Sequence, residues 1–265
     1  MNQPQGQTGQ PSRAIVNPMD LTGRVFLVTG GSSGIGRGTA LRLSELGARV
    51  IIVGRNLQRL QETLSMLAGD GHSVEPFDLT QAEEIPGWLE KVAARAGPID
   101  GVVHSAGLSL NVPLRALSVM ILRETLGINL DAGIMLARGF RRKGVCRKGG
   151  SLVFVSSVAA VRGQPGLAAY GASKGALLSI TKTLAVELAS EQLRVNCVVP
   201  GLVDTPMYRS YKALVGDDKV ARTEARHPLG IGDSVDVANM IAFLLSDAAR
   251  WITGESVAVD GGFLA

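Results

Sequence analysis

Aromatic residues and cysteines are scarce in this sequence. Aromatic side chains make up 4% of the 265 residues, and there are two cysteines, Cys146 and Cys197. The cysteines are far apart and form no CxxC pair, which argues against a disulfide framework or a zinc site and favours free thiols in a reducing compartment. The histidines, His72, His104 and His227, are too scattered for a metal cluster. We therefore expect no bound metal.

Strong charge and long apolar runs are absent as well. The formal net charge of +4 is too small to indicate the basic surface of a nucleic-acid-binding protein. No apolar run is long enough to span a bilayer, and residues 1–19 are rich in Gln, Gly and Pro without the apolar core of a signal peptide. We expect a soluble, cytoplasmic protein with a disordered or extended tail over 1–19, and neither nucleic-acid nor membrane partners.

The chain is rich in hydrophobic residues, which make up 46% of it, and in glycine, of which there are 33 residues. Short apolar runs alternate about seven times with helical patterns. This alternation predicts an α/β protein with one Rossmann-type domain over 20–265, a doubly wound parallel sheet of about seven strands with helices on both faces. The stretch 206–228 interrupts the alternation, and we interpret it as a mobile lid. The strands are predicted over 24–29, 49–53, 74–79, 99–105, 151–156, 194–199 and 256–259. The later helices are predicted over 82–96, 117–140, 168–190 and 234–247.

The first predicted strand runs directly into a glycine-rich turn at 29–36, with the sequence TGGSSGIG. Its glycines follow the spacing G-x-x-x-G-x-G, and they allow a sharp turn and a close approach of the backbone to a phosphate. The helix that begins there offers unpaired amides and the positive end of its dipole. A glycine-rich turn without a ligand is the alternative, but the position in a first βα unit favours a bound dinucleotide.

The end of the second predicted strand indicates which dinucleotide binds. NAD sites usually place an acidic residue there, whereas this chain has Gly54-Arg55-Asn56. No carboxylate would repel a 2′-phosphate, and the Arg55 guanidinium can pair with one through two charge-assisted hydrogen bonds. The pattern therefore favours NADP(H) over NAD(H). The alternative is that Arg55 is a solvated residue at the start of a helix.

A tyrosine and a lysine share one face of the helix predicted over 168–190, because Tyr170 and Lys174 stand at i and i+4. The ammonium group is expected to stabilise the phenolate and lower the phenol pKa from its usual value of about 10, which would make it a better acid–base catalyst near neutral pH. The preceding strand ends at Ser156-Ser157, on the edge where open α/β sheets bind ligands. A core tyrosine beside a solvated lysine is the alternative.

Together these motifs resemble the short-chain dehydrogenase/reductase family in its compact single-domain branch. TGGSSGIG at 29–36, a serine ahead of YGASK at 170–174 and PGLVDT at 200–205 occur in the family's order. The resemblance implies that the catalytic residues are Asn129, Ser157, Tyr170 and Lys174. With the residues already discussed, it predicts cofactor contacts by Gly30, Ser32, Ser33, Gly34, Ile35, Gly36, Arg55, Asn56, Asp78, Leu79, Ser105, Ala106, Gly107, Tyr170, Lys174, Pro200, Gly201, Val203 and Thr205.

The sequence departs from the family pattern after its fourth strand. Members usually have Asn-Asn-Ala-Gly, whereas this chain has His104-Ser105-Ala106-Gly107. Ala106 and Gly107 preserve a close approach to the cofactor, but the bonds that brace the turn must differ. We interpret His104 as structural, with a role in proton relay as the alternative.

The resemblance implies an NADP(H)-dependent oxidoreductase that interconverts a ketone and a secondary alcohol, with Tyr170 as acid and base. Similarity to β-ketoacyl-[acyl carrier protein] reductase-like members suggests a 3-oxoacyl thioester or a related small carbonyl substrate, and the segment 260–262 suggests a homodimer or homotetramer. The alternatives are a sugar-nucleotide epimerase or dehydratase and a non-catalytic NADP-binding scaffold. The basic run Arg141-Arg142-Lys143, with Arg147-Lys148, could meet an acidic carrier protein or a nucleotide, or form a solvated loop.

Overall fold

The computed structural model describes residues 17–265, so the predicted tail over 1–19 lies almost wholly outside the described residues. Its last residue, Met19, packs against the domain. The strands are β1 (Val25–Thr29), β2 (Arg49–Gly54), β3 (Ser73–Pro76), β4 (Ile99–His104), β5 (Cys146–Val155), β6 (Arg194–Pro200) and β7 (Ser256–Val259). The α-helices are α1 (Gly34–Glu45), α2 (Leu57–Leu64), α3 (Ile85–Ala96), α4 (Val119–Leu126), α5 (Ala132–Phe140), α6 (Ala168–Leu188), α7 (Pro206–Val215), α8 (Asp217–Glu224) and α9 (Ser234–Leu245).

The strands form one parallel sheet in the order β3-β2-β1-β4-β5-β6-β7. The chain builds outward from β1 in one direction and then from β4 in the other. The two loops that leave β1 and β4 therefore diverge at the carboxyl edge and open a crevice there. This is the predicted Rossmann-type doubly wound fold.

Both faces of the sheet are covered, because successive strand residues point in opposite directions. Val25 and Leu27 pack on the face covered by α3, α5 and α6, whereas Phe26 and Val28 pack on the face covered by α1, α2 and α9. All four of these β1 side chains are at most 1% exposed. Within residues 17–265, none of the helices combines the length and apolar character needed to cross a membrane.

The helix predicted over 117–140 runs without a break from Val119 to Phe140 and contains a π-helical turn. α4 ends at Leu126, a π-helical turn spans Gly127–Asp131, and α5 begins at Ala132. The prediction of a long helix here is confirmed, but the π turn was not predicted, because apolar spacing over so short a stretch does not distinguish a π turn from an α turn. The π turn contains Asn129, which is fully buried.

The stretch 206–228, which interrupts the alternation of strands and helices, is mostly helical and contains α7 and α8. The Thr205 hydroxyl accepts a hydrogen bond from the Tyr208 amide at 3.3 Å and caps α7, which begins at Pro206. A capping threonine followed by proline is a common helix start. The Tyr208 hydroxyl donates to the Glu224 carboxylate and so ties α7 to α8. Movement of this segment stays a prediction.

Candidate active site

A cavity of about 800 Å³ opens at the carboxyl edge of the sheet. The turns and loops that follow β1 to β6 all contribute to its walls, as expected for the crevice of a doubly wound sheet. Every predicted cofactor residue except Asn56 lines it. Asn56 has a different role, since its side-chain oxygen accepts from the Arg59 amide at 3.0 Å and caps α2.

The glycine-rich turn at 29–36 gives the cavity an open helix N-terminus. Gly30 has φ +69°, and a Cβ there would lie 2.8 Å from the Ala106 nitrogen. A Cβ on Gly36 would lie 2.3 Å from the Gly30 carbonyl oxygen, so α1 can approach the turn only without one. The side chain of Ser33 makes no hydrogen bond that caps α1. The unpaired amides at the start of α1 and the positive end of its dipole thus face the cavity. This arrangement is suited to binding a pyrophosphate.

Two residues after β2 and β3 define the far end of the cavity. Arg55 is exposed at its rim and makes no ion pair with another residue in the described part of the chain. Asp78 also lines the cavity, and its carboxylate accepts from the Thr80 amide at 3.0 Å, which fixes the turn after β3. This end of the cavity therefore has one cationic side chain without an ion pair among the described residues and one carboxylate held by a turn.

Ser157, Tyr170 and Lys174 meet on the wall of the same cavity. Burial raises the pKa of the Tyr170 phenol, while a hydrogen bond with Ser157 acts in the opposite direction. The expected lowering of this pKa by Lys174 is therefore not seen. The ammonium lies 5.7 Å from the centre of the Tyr170 ring and donates to the Val155 carbonyl at 2.8 Å.

Lys174 itself is 3% exposed. Burial, which disfavours the charged form, lowers the pKa of its ammonium to about 8. Because that value is close to neutral pH, the lysine can both hold and release a proton under ordinary conditions.

Asn129 lies behind the cavity wall. Its amide nitrogen donates to the Ser173 hydroxyl at 2.8 Å and to the Leu108 carbonyl at 3.0 Å, and its amide oxygen accepts from the Leu108 nitrogen at 2.8 Å. A Cβ on Gly107 would lie 3.2 Å from the Lys174 Nζ and 3.3 Å from the Asn129 Oδ1. The Asn129 amide and the Lys174 ammonium therefore both lie against the glycine turn after β4, and Asn129 does not line the cavity itself.

Residues 30–264 match the family model described as Enoyl-(Acyl carrier protein) reductase. The chain is 33% identical over 249 residues to 3-oxoacyl-[acyl-carrier-protein] reductase of Thermotoga maritima, covering 93% of this chain and 100% of the relative. It is 35% identical over 248 residues to human dehydrogenase/reductase SDR family member 4, covering 91% and 88%.

The chain belongs to the short-chain dehydrogenase/reductase family.

Solved structures agree with this assignment. A short-chain type dehydrogenase/reductase from Mycobacterium ulcerans superposes with a TM-score of 0.85 at 36% identity, covering 92% of this chain and 91% of that one. A structure from Beutenbergia cavernae, a candidate NAD(P)-dependent gluconate 5-dehydrogenase with bound NADP at low occupancy, has a TM-score of 0.85 at 34% identity, with coverage of 93% and 99%. The chain is therefore an oxidoreductase of this family.

The start of α7, in the predicted lid, lines the other half of this family member's cavity with Met207, Tyr208 and Tyr211. Sequence reasoning missed the remaining residues of that half, which include Leu108, Asn111 and Val112 in the segment after β4. Gln164 and Leu167, ahead of α6, complete this wall. These residues carry no motif, but the first of them directly follow the carboxyl end of β4, and that position alone could have drawn attention to them.

The basic run 141–148 lies at the opposite edge of the sheet. β5 begins at Cys146 and reaches the cavity at Val155, and its ten residues span roughly 30 Å. Arg141 pairs with Glu191, Arg142 with Glu90 at 2.9 Å, and Arg147 with Asp100 at 3.6 Å. Distance and pairing both argue against a carrier protein docking there to deliver a substrate.

Proposed function

We propose that this enzyme interconverts a ketone and a secondary alcohol with NADP(H), using Tyr170 as acid and base. The observation that carries the proposal is the meeting of Ser157, Tyr170 and Lys174 on the wall of one cavity that also contains the uncapped start of α1. A non-catalytic scaffold would have no need of these three side chains together. The epimerase alternative gains no support from the relatives described above, which are named reductases and dehydrogenases.

In the reducing direction, Tyr170 donates its proton to the substrate oxygen, and the Ser157 hydroxyl holds that oxygen by a hydrogen bond. A nicotinamide held in this cavity would supply the hydride, which the carbonyl carbon of the substrate would receive. The raised pKa keeps Tyr170 protonated at neutral pH and ready to donate. Hydrogen bonds aimed at the oxygen contribute most, because negative charge develops there. Lys174, with its pKa near 8, then returns a proton to Tyr170, in a relay that includes Asn129.

The preference for NADP(H) rests on Arg55. The position that would carry an acid in an NAD site is Gly54, which also lines the cavity. The exposed Arg55 guanidinium is free of ion pairs with the other described residues and can take a 2′-phosphate without first breaking a salt bridge. The bound NADP in the Beutenbergia cavernae relative supports the same choice.

The cavity favours a substrate whose reacting end is uncharged. Among its lining residues, all within the described part of the chain, the cationic side chains are Arg55 and Lys174. Both are engaged by the proposed cofactor and relay, so a substrate carboxylate would lose its hydration without gaining a cationic partner. The substrate wall instead combines apolar groups with the amides of Asn111 and Gln164. This composition suits a 3-oxoacyl thioester or a similar neutral ketone better than a sugar acid.

The direct test is NADPH oxidation by the purified protein with an acetoacetyl thioester, a sugar ketone, a sugar acid ketone and a steroid ketone in parallel. We expect the thioester to be the best substrate. In Tyr170→Phe, kcat should fall by about two to four orders of magnitude, the usual contribution of a general acid, while NADPH binding measured by fluorescence persists. Normal turnover by that variant would contradict the assignment of Tyr170.

We also propose that the enzyme is a cytoplasmic homodimer or homotetramer. Both cysteines are free thiols, one buried and one partly buried, as expected in a reducing compartment.

A further inference from the structure

His104, which replaces a family asparagine, is fully buried behind the cavity. Its Nδ1 lies 3.1 Å from the Thr29 hydroxyl, and its Nε2 lies 3.2 Å from the backbone carbonyl oxygen of Asn129. The ring stands edge-on to Phe154, and a Cβ on Gly133 would lie only 3.0 Å from its Cδ2. The imidazole therefore has little room to rotate and makes both of its hydrogen bonds to groups that border the active site.

The hydrogen-bond partners of the His104 ring determine which of its two nitrogens carries the proton. The Thr29 hydroxyl oxygen accepts from the amides of Ser105 and Ala106, at 3.2 and 3.1 Å, so its own hydrogen is left to donate to Nδ1. The carbonyl of Asn129 can only accept, so Nε2 must carry a hydrogen. One neutral tautomer, protonated at Nε2, satisfies every group in this network, and an imidazolium would not.

The same network supports two pieces of backbone that hold the relay. Asn129 belongs to the π turn Gly127–Asp131, a rare conformation that costs stability unless tertiary contacts hold it. The Nε2 hydrogen bond is such a contact. On the other side, Thr29 braces the turn that leads to Gly107, against which both Lys174 Nζ and Asn129 Oδ1 lie.

We propose that His104 is a positioning residue for proton return. As a neutral imidazole protonated at Nε2, it anchors the Asn129 carbonyl and the Thr29 hydroxyl, and so keeps the side chains of Asn129 and Lys174 aligned with Tyr170. This role rests on the proposed function, because it requires that Tyr170 be reprotonated in each cycle. Burial, and next the charge of Lys174, lowers the pKa of His104 to about 3, which agrees with a neutral ring.

Two substitutions of His104 test its Nδ1 and Nε2 hydrogen bonds separately. The amide of glutamine can place a donor where Nε2 stands, whereas asparagine can place an acceptor where Nδ1 stands but cannot reach the Asn129 carbonyl. We expect His104→Gln to retain most of kcat, and His104→Asn to lose about tenfold in kcat, as for a lost buried hydrogen bond, with NADPH binding little changed. The solvent deuterium isotope effect on kcat should rise in His104→Asn, because proton return becomes slower.

His72 provides the matched control. Its Nδ1 accepts from the Val50 amide at 3.1 Å and its Nε2 lies 2.9 Å from the Ala68 carbonyl, the same pattern far from the cavity. His72→Asn should lower thermal stability without altering kcat or the isotope effect.

Three results would overturn the proposal. The first is equal kcat and isotope effects in wild type and His104→Asn. The second is a parallel loss of stability, NADPH binding and kcat in both His104 variants, which would show a merely structural role. The third result comes from the wild-type protein and does not depend on the folding of a variant. It is a ¹⁵N NMR spectrum at pH 7 in which His104 is protonated at Nδ1 or at both nitrogens. Failure of the wild-type enzyme on every ketone tested would instead refute the proposed function and leave the NMR result standing.

Discussion

Tyr170 and Lys174 show at the scale of single residues how burial tunes proton affinity. Removal from water raises the pKa of the phenol and lowers that of the ammonium to about 8, because in each case the charged form loses hydration. The simple expectation that the lysine acidifies the tyrosine was wrong for this structure. The raised pKa of Tyr170 and the lowered pKa of Lys174 instead suit the proposed roles, in which a protonated Tyr170 donates and Lys174 resupplies the proton.

Arg55 is the residue whose replacement tests cofactor choice. In Arg55→Ala we expect the Kd for NADPH to rise by about tenfold to a hundredfold, since a charge-assisted pair to a phosphate is lost, while the Kd for NADH changes little. Titration of both cofactors by fluorescence measures the ratio. Arg59→Ala, which removes another exposed arginine on α2, is the control and should leave the ratio unchanged. A constant NADPH-to-NADH ratio in Arg55→Ala would argue against its contact with phosphate.

At the scale of elements, the pair α7 and α8 depends on one carboxylate. Glu224 accepts from the Tyr208 hydroxyl and from the Lys212 ammonium at 3.0 Å, and these bonds hold its pKa below the usual range. Behind α8, the His227 Nε2 accepts from the Leu202 amide at 3.0 Å, within the segment 200–205 that lines the cavity. The proposed lid is therefore fastened to the cavity wall at both ends.

Loosening this pair should affect the substrate more than the cofactor. In Glu224→Ala we expect the KM for the ketone to rise several-fold with little change in NADPH affinity, because α7 supplies substrate-side residues such as Tyr211. Steady-state kinetics with saturating NADPH measures this. Tyr208→Phe removes the same bond from the other side, so the double variant should add little to either single one. Fully additive effects would mean that the two residues act independently.

At the scale of the whole molecule, the protonation of buried His104 should affect the free energy of unfolding in acid. His104 has a pKa of about 3 in the folded protein, against about 6.5 when unfolded, so the unfolded chain binds the extra proton in that window. Its contribution to stability is intact above pH 6.5 and is lost as the pH falls toward 3. Between pH 7 and pH 5 this should cost about 2 kcal/mol of unfolding free energy.

The measurement is urea unfolding of wild type and His104→Gln at both pH values. Carboxylate effects are common to the two proteins and cancel in the difference, so the wild type should lose more stability on acidification than the variant. Equal losses would mean that His104 titrates normally in the folded protein.

The sequence by itself determined the order of the strands and of most helices between them, and it placed Ser157, Tyr170, Lys174 and the glycine turn. These features depend on near neighbours: apolar runs, i and i+4 spacing, and glycines within one turn. The caps Asn56 and Thr205 are also local signals, although the sequence prediction did not use them. Only the tertiary structure decided the π turn at Asn129, the bond that ties α7 to α8 and the raised pKa of Tyr170. Each of these depends on groups distant in sequence or on burial. The free energy of removing a charge or a backbone group from water is set by the packed environment, and no local sequence pattern contains that environment.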